Sequence, residues 1–411
     1  MTSIPPFPSK PAAIAVTAGT RDSQGFLLPV IFLFLFWSPI FAYGQSTIQD
    51  RPAAKDTGAR DKRTRTRYPT AGQIIPVMAV ADTAGHKVTI TAGGRPFTEF
   101  IYPDSLEKPV LYPVYAPDGQ VVTRGFPLQP RSGEPVDHPH HVGIWFNYEN
   151  VNGLDFWNNS YAIPAEKKHL YGWIHLDGAP EALTSGPVGY SKGQVRFVAS
   201  WTDQQGVVLL KENTLLIFGA NGKERTIDRI TTLTAREDIT FADAKDGLLG
   251  MRVAKELQIP SNVPGQFVDD KGNITKVAAG NSPDINGNYL TGEGREGDSA
   301  WGTRAKWCML YGKMGPDTIS IVMIDRPGNP GYPTYWHARG YGLFAANPLG
   351  QKIFSNGKEA LNLHLAKGQY VRFFYRIVIA ADKEKLATGR IGQLADDISG
   401  VIGRDGEVHL K

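Results

Sequence analysis

From about Val77 onward, short apolar runs alternate with polar positions at a period of two and are separated by turn signals. Period-two alternation places one side chain of each pair on a buried face and the next on a wet one, which marks a half-buried strand. The pattern predicts strands at Lys87–Ala92, 110–115, 142–148, 195–201, 207–218, 226–235, 307–311, 319–324, 360–365 and 370–380. Between them stand Pro117-Asp118-Gly119, Ala220-Asn221-Gly222 and Ser355-Asn356-Gly357, sequences whose Gly or Asn takes positive φ at low cost. At 382–402 the spacing turns helical, with Leu386, Ile391, Leu394 and Ile398 able to share a face and Asp382 as the expected N-cap. The expected architecture is all-β: one large antiparallel β-sandwich over residues 76–405 with a short C-terminal helix. Two tightly joined β subdomains meeting in the loop-rich stretch 260–300 are the alternative.

Composition sharpens this picture in two places. The formal net charge is +4, yet residues 69–411 carry 35 basic and 36 acidic side chains. The excess lies in 45–68, so the body presents no basic surface and nucleic acid is not an expected partner. Residues 45–75 are polar, basic and without hydrophobic period, and read as a flexible linker. Upstream, the apolar run 26–41 ends at Ala42-Tyr43-Gly44, a small-x-small pattern suited to signal-peptidase cleavage before Gln45. Residues 1–44 are therefore expected to be a signal peptide, and the protein periplasmic or secreted. An uncleaved N-terminal anchor is the alternative, and no other segment is apolar enough to span a bilayer. Cys308 is the single cysteine, so an exported chain of this kind needs a sizeable core in place of disulfides.

Candidate chemistry concentrates in Asp137-His138-Pro139-His140-His141, where three of nine histidines fall beside a carboxylate. If a strand starts here, His138 and His140 share one face and His141 lies opposite. Such a pair could give two nitrogens to a divalent metal, with Asp137 orienting a ring, or could serve general acid–base chemistry near neutral pH. Downstream, Trp145 and Trp157 alternate with Asn147, Asp155 and Asn158, a mixture of flat apolar faces and directional polar groups that suits a sugar ring. A second group, Asn329, Tyr332, Trp336, His337, Arg339 and Asn347, lies in a Pro- and Gly-rich stretch that reads as fixed loops. There His337 and Arg339 would share a strand face. Glu212, Arg225, Asp228 and Arg252 are charges within apolar strands and read as structural ion pairs. Gly292–Gly297 matches G-x-G-x-x-G, but its three acidic neighbours would repel a pyrophosphate. Gly189–Gly193 matches G-x-S-x-G but precedes a strand, and reads as a turn.

Taken together, Asp137-His138-Pro139-His140-His141, Gly143-Ile144-Trp145, Asp155-Phe156-Trp157, Gly250-Met251-Arg252, Trp301-Gly302, Asn329-Pro330, Trp336-His337, Arg339, Tyr341-Gly342 and Asn347-Pro348 resemble the family labelled methane oxygenase PmoA-like. The resemblance spans roughly residues 85–380. It implies an exported protein of bacteria that degrade complex carbohydrates, with these motif residues clustered. The subunit that gives the label is an integral membrane protein, and no catalytic role is carried over from it. The expected function is an enzyme acting on a sugar or glycoside as epimerase, lyase or hydrolase, on a sandwich similar to the galactose-mutarotase supersandwich. In that reading Asp137, His138, His140, His141 and His337 do the proton transfer, with His138 and His140 as the ligands if a divalent metal is used. Trp145, Asn147, Asp155, Trp157, Asn329, Tyr332, Trp336, Arg339 and Asn347 hold the carbohydrate. The alternatives are a non-catalytic carbohydrate-binding protein and a metal-dependent oxygenase.

Overall fold

The computed structural model describes residues 74–186, 191–262, 265–268, 274–277 and 282–398, all within one compact unit. The expected signal peptide (1–44), nearly all of the linker (45–75), the turn at Gly189–Gly193 in part and much of the 260–300 stretch lie outside these residues. Two antiparallel sheets face each other. The front sheet has eight strands in the order Val77–Asp82, Lys87–Ala92, Arg95–Ile101, Val110–Val114, Ile144–Tyr148, Gly247–Arg252, Leu343–Asn347 and Tyr335–Arg339. The back sheet has nine, built on the long strands Lys192–Thr202, Val208–Ala220, Glu224–Ala235 and Tyr370–Asp382. Among the described residues no helix is long and apolar enough to cross a membrane.

Alternation decides what each face does. In the strand Ile144–Tyr148, Ile144, Phe146 and Tyr148 join the main core with Leu249, Met251, Phe344, Ala346, Trp336 and Ala338, and meet Leu210, Leu216, Leu233 and Phe373 of the back sheet. Trp145, Leu343 and Ala345 take the intervening positions and form a separate cluster with Trp157, Val110, Tyr112 and Val142 on the outer face of the front sheet. The outer face of the back sheet is covered by the helix Thr388–Ile398, whose Ile391 and Leu394 pack on Ile217, Ile230, Val322, Phe374 and Val378.

Three expectations are corrected here. The stretch 335–347, expected as fixed loops, forms two front-sheet strands, Tyr335–Arg339 and Leu343–Asn347, and His337 and Arg339 share a strand face as expected. The helix starts at Thr388, and Asp382 instead ends a strand, where its carboxylate pairs with Lys223 and accepts the Lys383 backbone N–H at 2.9 Å. The strand after the histidines begins at Ile144, so 138–141 lie in the preceding loop.

Candidate functional site

The histidine loop closes over one end of the outer face of the front sheet. The loop spans 115–143, and its last residue, Gly143, has φ +57, with a Cβ position only 2.2 Å from the Leu111 carbonyl oxygen. Only glycine allows the chain to enter the strand that closely. His138 takes φ +47, a left-handed conformation that β-carbon sterics disfavour and that the surroundings must hold in place. That turn folds the segment back, so His138, His140 and His141 come together rather than alternating across a strand.

Arg124, from the same loop and 1% exposed, does the holding. Its Nη1 donates to the carbonyls of Pro135 (3.2 Å) and Asp137 (2.7 Å), and its Nη2 to those of His138 (2.9 Å) and His141 (3.1 Å). Burial lowers its pKa to about 9, helped by the neighbouring Arg252 and opposed by Asp137. Lys108, also buried, donates to the His140 carbonyl at 2.8 Å and to that of Trp157 at 3.4 Å. Burial brings its pKa down to about 8, against the pull of Glu107 and Asp155.

Asp137 is the hub. Arg252 Nη2 donates to its two carboxylate oxygens at 2.7 and 3.0 Å, Arg124 Nη1 reaches Oδ1 at 3.1 Å, and His138 Nδ1 bonds Oδ2. Partial burial opposes ionisation, but the His138 hydrogen bond and the two guanidinium charges outweigh it and hold this carboxyl well below the usual range. The carboxylate is thus an acceptor, His138 Nδ1 carries the proton, and in the neutral ring Nε2 keeps its lone pair. The His138 side chain is 41% exposed, and its ring stacks on His141 at 4.8 Å and on Tyr341 at 5.1 Å.

His141 and His140 differ from it. Arg252 Nη1 faces His141 Nδ1 at 3.1 Å, and since a guanidinium only donates, the His141 proton sits on Nε2. Burial, and then the surrounding rings and cations, push both pKa values down and keep these histidines neutral. Beneath them His141 stacks on Trp145 at 5.2 Å, and Trp145 lies 5.0 Å from Trp157. Gly250 makes room for both indoles: a Cβ there would lie 2.6 Å from Trp145 and 2.7 Å from Trp157.

The strand register extends the site across the sheet. Trp145, Gly250, Ala345 and His337 stand opposite one another, and in the next row Arg252, Leu343 and Arg339 do. His337 is fully buried and spent: its Nδ1 lies 3.0 Å from the Lys245 carbonyl and 3.4 Å from Asp246, and its Nε2 accepts from Arg339 Nε at 3.4 Å. Burial lowers its pKa to about 4, the Asp246 charge only partly opposing.

The other expected ligand contacts divide sharply. Trp145 and Trp157 are at the site but wholly buried, forming its floor. Trp336 is corrected from a stacking surface to core, with its Nε1 bonded to the Ala305 carbonyl at 3.0 Å. Asn147, Asn329 and Asn347 are buried anchors for backbone: Asn147 holds the Phe156 carbonyl, Asn329 holds Phe374 through both its carbonyl and N–H, and Asn347 holds the carbonyls of Ala244 and Lys245. Asp155 caps its own turn by accepting from Asn158 N and Nδ2, and Tyr332 is half-buried beside Pro333, in a separate turn whose carbonyls Arg304 binds. Arg252 and Tyr341, motif residues expected to cluster with the histidines, are here as expected, and Arg124, Lys108 and Asp246 complete the site without an expectation attached to them. The signal of Arg124 is a charge inside an apolar run, Val121-Val122-Thr123-Arg124, which a structural ion pair also produces. Among the described residues no group of three or more His, Cys, Asp or Glu side chains is disposed to hold a metal ion. The rings of His138 and His140 share their surroundings with three fixed cations, Arg124, Arg252 and Lys108, which oppose a further positive charge.

The arrangement defines an antiparallel β-sandwich that carries a histidine–aspartate pair on the outer face of one sheet. The chain belongs to a family of unknown function, DUF6807, whose model matches residues 87–396. No curated protein matches it. Similar solved structures include α-galactosidases from Geobacillus stearothermophilus (10% identity, TM-score 0.35, covering 74% of this chain and 41% of that one) and Lactobacillus brevis (8%, 0.34, 75% and 39%). A galactose mutarotase-like protein from Clostridium acetobutylicum is another (9% identity, TM-score 0.31, covering 76% of this chain and 100% of that one). The chain spans about two fifths of the length of the two galactosidases, 41% and 39%.

Proposed function

We propose that this protein is a carbohydrate-active acid–base enzyme in which His138 is the base and Asp137 its orienting partner, working without a bound metal. The observation that carries the reading is the Asp137–His138 pair. An ionised carboxylate clamped by two buried guanidiniums fixes the proton on Nδ1 and leaves Nε2 without a hydrogen-bond partner among the described residues, on a side chain that is 41% exposed. A base needs that combination of defined tautomer, fixed direction and access.

Tyr341 supports it. The residue is 36% exposed, its ring is parallel to that of His138, and its hydroxyl has no hydrogen-bond partner among the described residues. Burial raises its pKa to about 12, so the hydroxyl stays protonated and can donate. A flat aromatic face beside polar groups that both accept and donate suits a sugar, which offers C–H faces and hydroxyls together. Proton transfer at carbon, as in epimerisation or elimination, fits better than hydrolysis by two carboxylates, because both oxygens of Asp137 are already engaged.

The test is solvent exchange. The full chain is incubated in D2O with a panel of mono- and oligosaccharides, and deuterium entering C–H positions is followed by NMR. The wild type is expected to label at least one sugar, and His138→Gln to lose that labelling while keeping its thermal unfolding profile. A sugar that binds but is never labelled or converted by the wild type would sink the enzyme reading in favour of a carbohydrate-binding protein.

A further inference from the structure

Among the described residues, one cation at the site has terminal guanidinium nitrogens without an acceptor. Arg124 and Arg252 share Asp137, and Lys108 is bonded to two carbonyls. Arg339 stands in the same cross-strand row as Arg252 and projects from the same face. Its guanidinium lies 4.5 Å over the ring of Trp301, and its Nε donates to His337 Nε2 at 3.4 Å. His337 is fixed in turn on the Lys245 carbonyl. The side chain is therefore aimed by a stacking surface beneath it and a hydrogen-bond relay behind it. Its two terminal nitrogens, Nη1 and Nη2, have no acceptor among the described residues, and no carboxylate lies within 4.0 Å. Asp246, the nearby acid on this face, is taken up by Lys245 at 2.8 and 2.9 Å. Tyr341, two residues along, connects this point to the base through its 5.1 Å stack on His138.

A held, planar, two-pronged donor without an anion is a carboxylate receptor in form, because the two N–H groups match the spacing of the two carboxylate oxygens. We infer that Arg339 receives the carboxylate of an acidic saccharide, so that the substrate class is uronate-containing carbohydrate. The inference rests on the acid–base reading above and narrows it. A carboxylate neutralised there would also acidify the hydrogen on its α carbon, the kind of hydrogen an imidazole base removes.

The experiment is calorimetric binding to the full chain, pairing glucuronate and galacturonate oligosaccharides with their neutral glucose and galactose counterparts, and adding a 6-sulfated galactose. The wild type is expected to bind a uronate about tenfold or more tighter than its neutral match, the size of one charge-assisted bidentate contact. Arg339→Gln should remove most of that preference, and Arg339→Lys should restore part of it. His138→Gln should keep it. Equal binding of acidic and neutral sugars by the wild type overturns the inference, as does a preference that survives Arg339→Gln. Tighter binding of the sulfated sugar than of either uronate overturns the carboxylate assignment. If binding is blind to charge while His138→Gln still abolishes deuterium labelling, this inference falls and the acid–base reading stands. Arg339-dependent uronate binding without labelling by the wild type has the opposite meaning.

Discussion

Arg252 and Asp137 are 115 positions apart, yet one guanidinium nitrogen of Arg252 lies 2.7 and 3.0 Å from the two oxygens of the Asp137 carboxylate. The same guanidinium presents its other terminal nitrogen to His141 at 3.1 Å and its face to Tyr341 at 4.7 Å. One side chain thus orders three members of the site. Arg252→Met should lower stability by about 2–3 kcal/mol in urea unfolding, below the full range for orphaning a buried charge because Asp137 is 35% exposed. Arg252→Lys should recover little of it, since an ammonium cannot bridge two oxygens and a ring nitrogen in one plane. A wild-type unfolding curve for Arg252→Met would mean that the pair is ornamental.

Asp137→Asn separates orientation from charge. The amide is nearly isosteric, but it can donate to His138 Nδ1 and so favour the wrong tautomer. Labelling of the sugar should drop by about 100-fold or more, with a much smaller loss of binding. Retention of most activity in this variant would remove Asp137 from the proposed mechanism.

Gly250→Ala tests the floor. The added methyl would sit 2.6 Å from Trp145 and 2.7 Å from Trp157, both of which are fully buried and have little room to yield. A loss of about 1–3 kcal/mol is expected from overpacking, with a visible change in tryptophan fluorescence. An unchanged spectrum and midpoint would place the indoles elsewhere.

The buried histidines should make the protein sensitive to acid. For His337 the pKa in the fold is about 4, against an ordinary value of 6.5. The unfolded chain therefore takes up the proton first as the pH falls. Stability is fully present above pH 6.5 and is lost down to about pH 4, by on the order of 3 kcal/mol for this residue. His140 and His141 are shifted in the same direction and add to the slope. His337→Asn, whose amide can replace the Nδ1–H donor, should flatten the dependence in that window. A profile as steep as the wild type's would show that His337 is not the group being titrated.

The sandwich was legible in the sequence most clearly where a strand has one drier and one wetter face. Lys87–Ala92 alternates half-buried and buried positions, and its ends match the expected strand. Gly247–Arg252, Tyr335–Arg339 and Leu343–Asn347 are buried on both faces at nearly every position, so they show no alternation that would fix their bounds, although the sequence sets Arg252 in a strand and His337 and Arg339 on one strand face. These are the strands that carry Arg252, His337 and Arg339, and their outer face is dry because the site's own loops cover it. The histidine cluster was visible as density along the chain. Its geometry was not, because the turn at His138 is set by Arg124, whose five contacts to the loop no spacing rule anticipates. Asn147, Asn329 and Asn347 read as ligand contacts because a buried asparagine that holds backbone and one that holds a sugar look alike in sequence.

The excursion 115–143 leaves the front sheet after Val110–Val114 and returns at Ile144–Tyr148, and these strands pair directly, with Leu111 opposite Ile144. The sheet therefore closes without the excursion. Arg124 ties the segment to itself, while Arg252 and Tyr341 reach it from farther along the front sheet, so the shape of the loop is local and its chemistry is shared. The segment is also woven into the sandwich, since Ala116 and Val122 belong to the main core and Thr123 bridges Val253, so the chemistry cannot be cut away without disturbing the fold beneath it.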